Sequence, residues 1–144
     1  MSDWSRDASR RFVDQRKAKE PQDAKVLHDQ EMLKLKSPQL WDQLAEEFSR
    51  KCAEFNAQPE VGHVLSFDRT EANTLTVSRT DTHAKLTATL LPLYSVTIKG
   101  IKDPGQFKID LIAGTSEVGF FHDKFGLMSP DEISTAALDM LLSS

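Results

Sequence analysis

An α+β domain built on an antiparallel meander is the fold this sequence predicts, and three observations predict it. From Val61 onward apolar residues recur at every second position, between turns too short for crossover helices. Before Val61 and after Ser129 the apolar period is helical instead. The last stretch also opens on a helix-start signal, Ser129-Pro130-Asp131-Glu132. The expectation is a sheet of about five to seven strands. Helices over 38–56 and 130–142 cover one face, and a charged helical arm precedes them.

The arm, residues 1–36, holds half of the chain's 18 Lys and Arg and no glycine. Trp4, Ala8 and Phe12 recur at i, i+4, which predicts a short amphipathic helix before Pro21. A second helical stretch from Pro21 to Leu35 carries Val26, Leu27 and Leu33 without a clean stripe. Ser37-Pro38 then reads as an N-cap with proline at the first helical position. Trp41, Leu44, Ala45, Phe48, Cys52 and Phe55 follow at helical spacing, and the helix should end near Asn56, before Pro59. The expected organisation is therefore an arm, 1–36, and a single α+β domain, 37–144.

Six alternations predict the strands. Val61, His63, Leu65 and Phe67 form the first, Leu75 and Val77 the second, and Leu86, Ala88 and Leu90 the third. Tyr94, Val96 and Ile98 follow, then Phe107, Ile109 and Leu111, and last Val118 and Phe120. Asp103-Pro104-Gly105 is the strongest turn signal. Pro92 either separates two strands or kinks one at an edge. Trp41, Phe48, Leu65, Val77, Ile98, Ile109 and Phe120 should meet in one core, because each lies on the apolar side of its own period. At the end, Ile133, Ala136, Ala137, Met140 and Leu141 supply a stripe for the sheet. Leu138 and Leu142 fall on another flank, where they would form an exposed patch. That patch predicts cover by the arm or by a second copy, a homodimer through the C-terminal helix.

At 144 residues the chain can bury a proper core, and its net charge of −4 argues against a uniformly basic nucleic-acid binder. The longest apolar run, Leu90 to Tyr94, is far short of the roughly 20 residues that span a bilayer. Charges occupy the start where a signal peptide needs an apolar core. With a single cysteine, these features point to a reducing, cytoplasmic setting.

Motifs for chemistry are absent: no G-x-S-x-G, no phosphate-binding glycine loop, no H-E-x-x-H. No cofactor and no metal is expected. Cys52 lies on an apolar helix stripe and reads as core. His63 and His122 should both point to the core side. With Tyr94 they are the residues from which a catalytic or ligand site inside the sheet–helix cup would be built. Thr74, Thr76, Ser78, Thr87, Thr89, Ser95 and Thr97, near Lys85, Lys99 and Lys108, read as a solvated sheet face. The basic stretch 6–19, with Arg10, Arg11, Trp4 and Phe12, is a contact element for a protein, a nucleic acid or an anionic surface. Asp3, Asp7 and Asp14 dilute its charge, which disfavours nucleic acid. The functional expectation is a small non-catalytic binding or regulatory protein acting through protein–protein contacts. The alternatives are a small-molecule binder or enzyme using the cup, and contact with nucleic acid or an anionic surface through the arm.

Overall fold

The computed structural model describes residues 3–102 and 105–144, with side chains described for 6–11 and from 24 onward. Two helices and seven strands follow one another as α1 (Asp3–Asn56), β1 (Leu65–Glu71), β2 (Thr74–Arg79), β3 (Lys85–Leu91), β4 (Ser95–Lys99), β5 (Gly105–Leu111), β6 (Val118–His122), β7 (Gly126–Met128) and α2 (Pro130–Leu142). Each strand pairs antiparallel with its sequence neighbour, so the spatial order is β1-β2-β3-β4-β5-β6-β7. Among the described residues, no helix is long and apolar enough to cross a membrane. Asp103 and Pro104, expected at a turn, lie outside the described residues.

The turns explain the meander. Ala72-Asn73 joins β1 to β2 beyond the Glu71↔Thr74 pair. Pro92 separates β3 from β4, in a turn where Leu93 and Tyr94 have φ of 66° and 61°. Left-handed backbone costs a non-glycine residue roughly 1–2 kcal/mol. The turn is held in place by the Ile109 amide, which donates to the Tyr94 carbonyl at 2.7 Å. Gly100, at φ +91°, follows β4 so close to β3 that a Cβ there would sit 2.0 Å from the Lys85 carbonyl oxygen. The three-residue strand β7 was not expected, because three residues are too few to display an alternation.

All seven apolar residues expected to meet do lie in one buried cluster. α1 packs on β1 at one edge of the sheet and on β5 and β6 toward the other. The strands thus wrap around the segment of α1 that carries Leu40, Trp41, Leu44, Phe48 and Cys52. Trp41 satisfies its one donor within this core, giving its Nε1 proton to the Ala72 carbonyl at 2.8 Å. The threonine-rich face is real: Thr76 pairs with Thr87, Thr74 with Thr89, and Thr89 with Thr97.

α1 differs from expectation at its start. It is one helix of 54 residues running through Pro21 and Pro38, so Ser37-Pro38 is not a helix start. The first alternation is also shorter than expected, since β1 begins at Leu65, and His63 is exposed in the preceding loop. A proline inside a helix removes a backbone bond and costs about 3 kcal/mol. Packing offsets that cost, because both sides of Pro38 are fastened to the body. Leu33 packs on the core. The Lys36 ammonium donates to the Ser116 carbonyl at 2.8 Å and to the Glu117 carboxylate at 3.1 Å. Ser37 is fully buried, and its Oγ is the one buried polar side-chain atom without a partner among the described residues.

Polar contacts then place the ends of the helices. The Asn56 amide donates to the Leu65 carbonyl at 2.7 Å, and its Oδ1 accepts from the Val64 and Leu65 amides, starting β1. Ser129 and Glu132 close the expected capping box at the start of α2. The Lys51 ammonium reaches across to this end, donating to the Asp131 carboxylate and to Ser134 Oγ. That hydrogen bond, and then the charge of Lys51, hold the Asp131 carboxyl below its ordinary value of 3.8. At the other end of α2, the Arg79 guanidinium donates to the Leu142 and Ser144 carbonyls at 3.0 and 3.1 Å. A cation there meets both the free carbonyls and the helix dipole.

The buried face of α2 is rotated from the expected stripe. Ile133, Ser134, Ala137, Leu138 and Leu141 are buried, while Ala136 and Met140 are only half-buried. Leu138 is 6% exposed and Leu142 packs against the same core. The patch expected to bind a second copy is thus covered by the protein's own α1 and sheet. The bond from Lys51 to Ser134 and the packing of Leu138 in the core both hold that flank of α2 inward.

Two substitutions test this packing in opposite directions. Phe48→Ala should destabilise by about 3–5 kcal/mol, the cost of removing a fully buried aromatic ring. Ser37→Ala should stabilise by about 1 kcal/mol, because it removes a buried unpaired hydroxyl from a helix. Urea midpoints measure both, and an unchanged midpoint for Phe48→Ala contradicts the placement of α1 inside the sheet.

Candidate functional site

At the end of the sheet where β4 ends, β5 begins and β6 ends, α2 does not close fully onto the strands. A cleft of about 710 Å³ remains. One wall is α2, through Ile133, Ala136, Ala137 and Met140, which recur at i, i+3, i+4 and i+7. The facing wall comes from the strand ends and includes Ile98, Ile101 and Phe107. The β6–β7 turn forms the third side with His122, Phe125 and Met128. Lys99, Gln106, Asp123 and Lys124 supply polar groups.

The turn owes its form to His122. Its Nδ1 accepts from the Lys124 amide at 3.0 Å and from the Phe125 amide at 3.4 Å. An acceptor at Nδ1 puts the proton of the neutral ring on Nε2. Gly126, at φ +70°, completes the reversal into β7. The imidazole lies between two phenyl rings, tilted on Phe107 with centroids 5.1 Å apart and stacked on Phe125 at 4.9 Å. Phe125 is nevertheless 73% exposed, which leaves one aromatic face open to solvent.

The expected site residues are not brought together. His63 precedes β1 and His122 ends β6, so four strands stand between them. His63 is solvent-exposed, and its carbonyl accepts the Thr80 hydroxyl at 2.7 Å. The strand starts only at Leu65, after the Asn56 cap, which is why His63 does not reach the core side. Tyr94 packs against the core at the opposite end of β4 from the cleft. Of the three, only His122 belongs to the cleft. Among the described residues no cluster of three or more His, Cys, Asp or Glu is placed to hold a metal ion.

The arm offers less than its composition suggests. Arg10 and Arg11 are exposed near the start of α1, and the side chains of Trp4 and Phe12 lie outside the described residues. Leu33 is the first described residue of α1 packed on the core. Val26, Leu27 and Leu35 are 54–61% exposed. At 100° per residue these three spread over roughly half the helix circumference, so they make no single docking seam.

Sequence reasoning missed Ile101 and Phe125, and it put Ala136 and Met140 on the core stripe of α2, not on a cleft. Phe125 carried the one readable signal, a large apolar residue inside the Asp123–Gly126 turn, where polar residues are the rule. Comparison with family models, curated proteins and solved structures returns no match to this chain.

Cys52 stands apart from the cleft, 3% exposed on the inner face of α1. Burial pushes its thiol up to about 11, so little thiolate forms at neutral pH. A disulfide reagent at pH 8 should leave Cys52 unmodified in the native protein and modify it fully in urea. Rapid native labelling contradicts its burial.

Proposed function

We propose that this chain is a non-catalytic binding protein of the reducing cytosol whose ligand occupies the cleft beside α2. One observation carries the reading: apolar side chains of α2 and of the strand ends line one cleft of about 710 Å³, in which Ala136, Met140, Ile101 and Met128 stay only half-buried. That volume lies within the roughly 300–1,000 Å³ of ordinary small-ligand sites, and apolar walls with a few polar groups are their usual lining. The burial of Cys52 and the separation of His63 from His122 and Tyr94 support binding over turnover.

A second reading rests on α1. Exposed residues 24–28 lie ahead of the first core contact, and Val26 and Leu27 give a protein partner apolar surface there. The sequence alone points for this contact instead to Trp4, Arg10, Arg11 and Phe12 and to Leu138 and Leu142; of these, Arg10 and Arg11 are exposed and Leu138 is buried.

Ala136→Trp tests the first reading by filling the cleft from its helical wall. A fragment library titrated into the isotope-labelled protein should shift backbone amides of 97–101, 105–107, 122–128 and 133–140. The same fragments should leave those amides unmoved in folded Ala136→Trp. Shifts that survive the substitution, or that fall elsewhere, count against the cleft.

A further inference from the structure

We infer that the cleft selects a small amphipathic anion, an apolar chain or ring ending in a single carboxylate; this rests on the cleft being the binding site. The apolar body follows from the walls. From Ile133 to Met140 the cleft runs along about 10 Å of α2, the length of a medium acyl chain. Met140 and Met128 stand at its sides, and methionine adapts its shape to apolar guests of differing outline.

The head group follows from the charges. Lys99 approaches from β4 and Lys124 from the β6–β7 turn, and neither makes an ion pair among the described residues. Lys36 pairs with Glu117, and Lys51 with Glu47 and Asp131, whereas Lys85, Lys102 and Lys108 form no ion pair among the described residues; what sets Lys99 and Lys124 apart is their place on the cleft lining. Among the described residues Asp123 is the only acidic one on the lining, beside Lys99 and Lys124. Lys102 and Asp139, of opposite charge, line an adjoining pocket. His122, with Nδ1 committed to the turn amides, has only an Nε2 proton to offer, and a donor suits a carboxylate better than a cation. An ammonium head in the same place would meet two lysines, with only Asp123 among the described residues to attract it and no free acceptor on the imidazole.

The test uses the full chain and three probes of equal chain length, octanoate, 1-octanol and octylammonium, followed by amide shifts at low ionic strength. Octanoate should saturate at residues 97–101, 105–107, 122–128 and 133–140, at least tenfold more tightly than octylammonium. In Lys99→Ala/Lys124→Ala, with amide dispersion unchanged, octanoate should weaken to the level of octanol while octanol binds as before. If all three probes bind the cleft of the wild type equally, the anion inference is overturned and the cleft reading survives. Octanoate shifts confined to the arginines of residues 6–11 also overturn it. If no probe perturbs the cleft, both readings fall together.

Discussion

The whole architecture depends on burying one helix segment inside a curled sheet. Trp41, Leu44 and Phe48 are essentially inaccessible to water, and the helix that carries them packs on strands from both halves of the meander. A seven-stranded sheet left flat would expose one apolar face and two long edges. Curling it around α1, with α2 added to the same core, buries that face. Fully burying such side chains is worth about 1.5–3 kcal/mol each, which explains why packing, rather than helix propensity, decides the course of α1 past Pro38. The same packing accounts for the orphaned Ser37 hydroxyl, which occupies a position fixed by its neighbours.

The second helix is held by polar contacts at both ends. Lys51 ties its first turn to α1, and Arg79 ties its last carbonyls to β2. So held, α2 buries Ile133, Ser134, Ala137, Leu138 and Leu141 and leaves Ala136 and Met140 on the cleft, facing the strand ends.

Much of the fold was legible in the sequence because it rests on local periodicity. Alternation from Leu65 to Phe120 placed six strands, short turns ordered them, and Ser129-Pro130-Asp131-Glu132 marked the start of α2. The errors came where tertiary contacts overrule local signals. Ser37-Pro38 has the residues of a helix start, yet Leu33 and Lys36 find partners on the body and carry the helix through. Val61 and His63 alternate like a strand, but Asn56 takes the backbone amides of Val64 and Leu65 and delays β1. The α2 stripe was assigned by hydropathy alone, and a partner for Lys51 eighty residues away cannot be read from a period.

The site was less legible for a related reason. His122 was identified, but for a pairing with His63 that requires neighbouring strands, and the meander keeps β1 and β6 apart. Its actual partners are adjacent in sequence, the amides of Lys124 and Phe125 and the rings of Phe107 and Phe125. Histidine here organises a turn. That turn gives the strand ends a wall opposite α2. Because the Phe125 ring is stacked on the imidazole and still mostly exposed, the wall presents aromatic surface without collapsing into the cleft. A small fold whose core is already filled by Trp41 and Phe48 has little room for an interior pocket. Placing the opening at the strand ends, between a tethered helix and a histidine-braced turn, leaves that core intact.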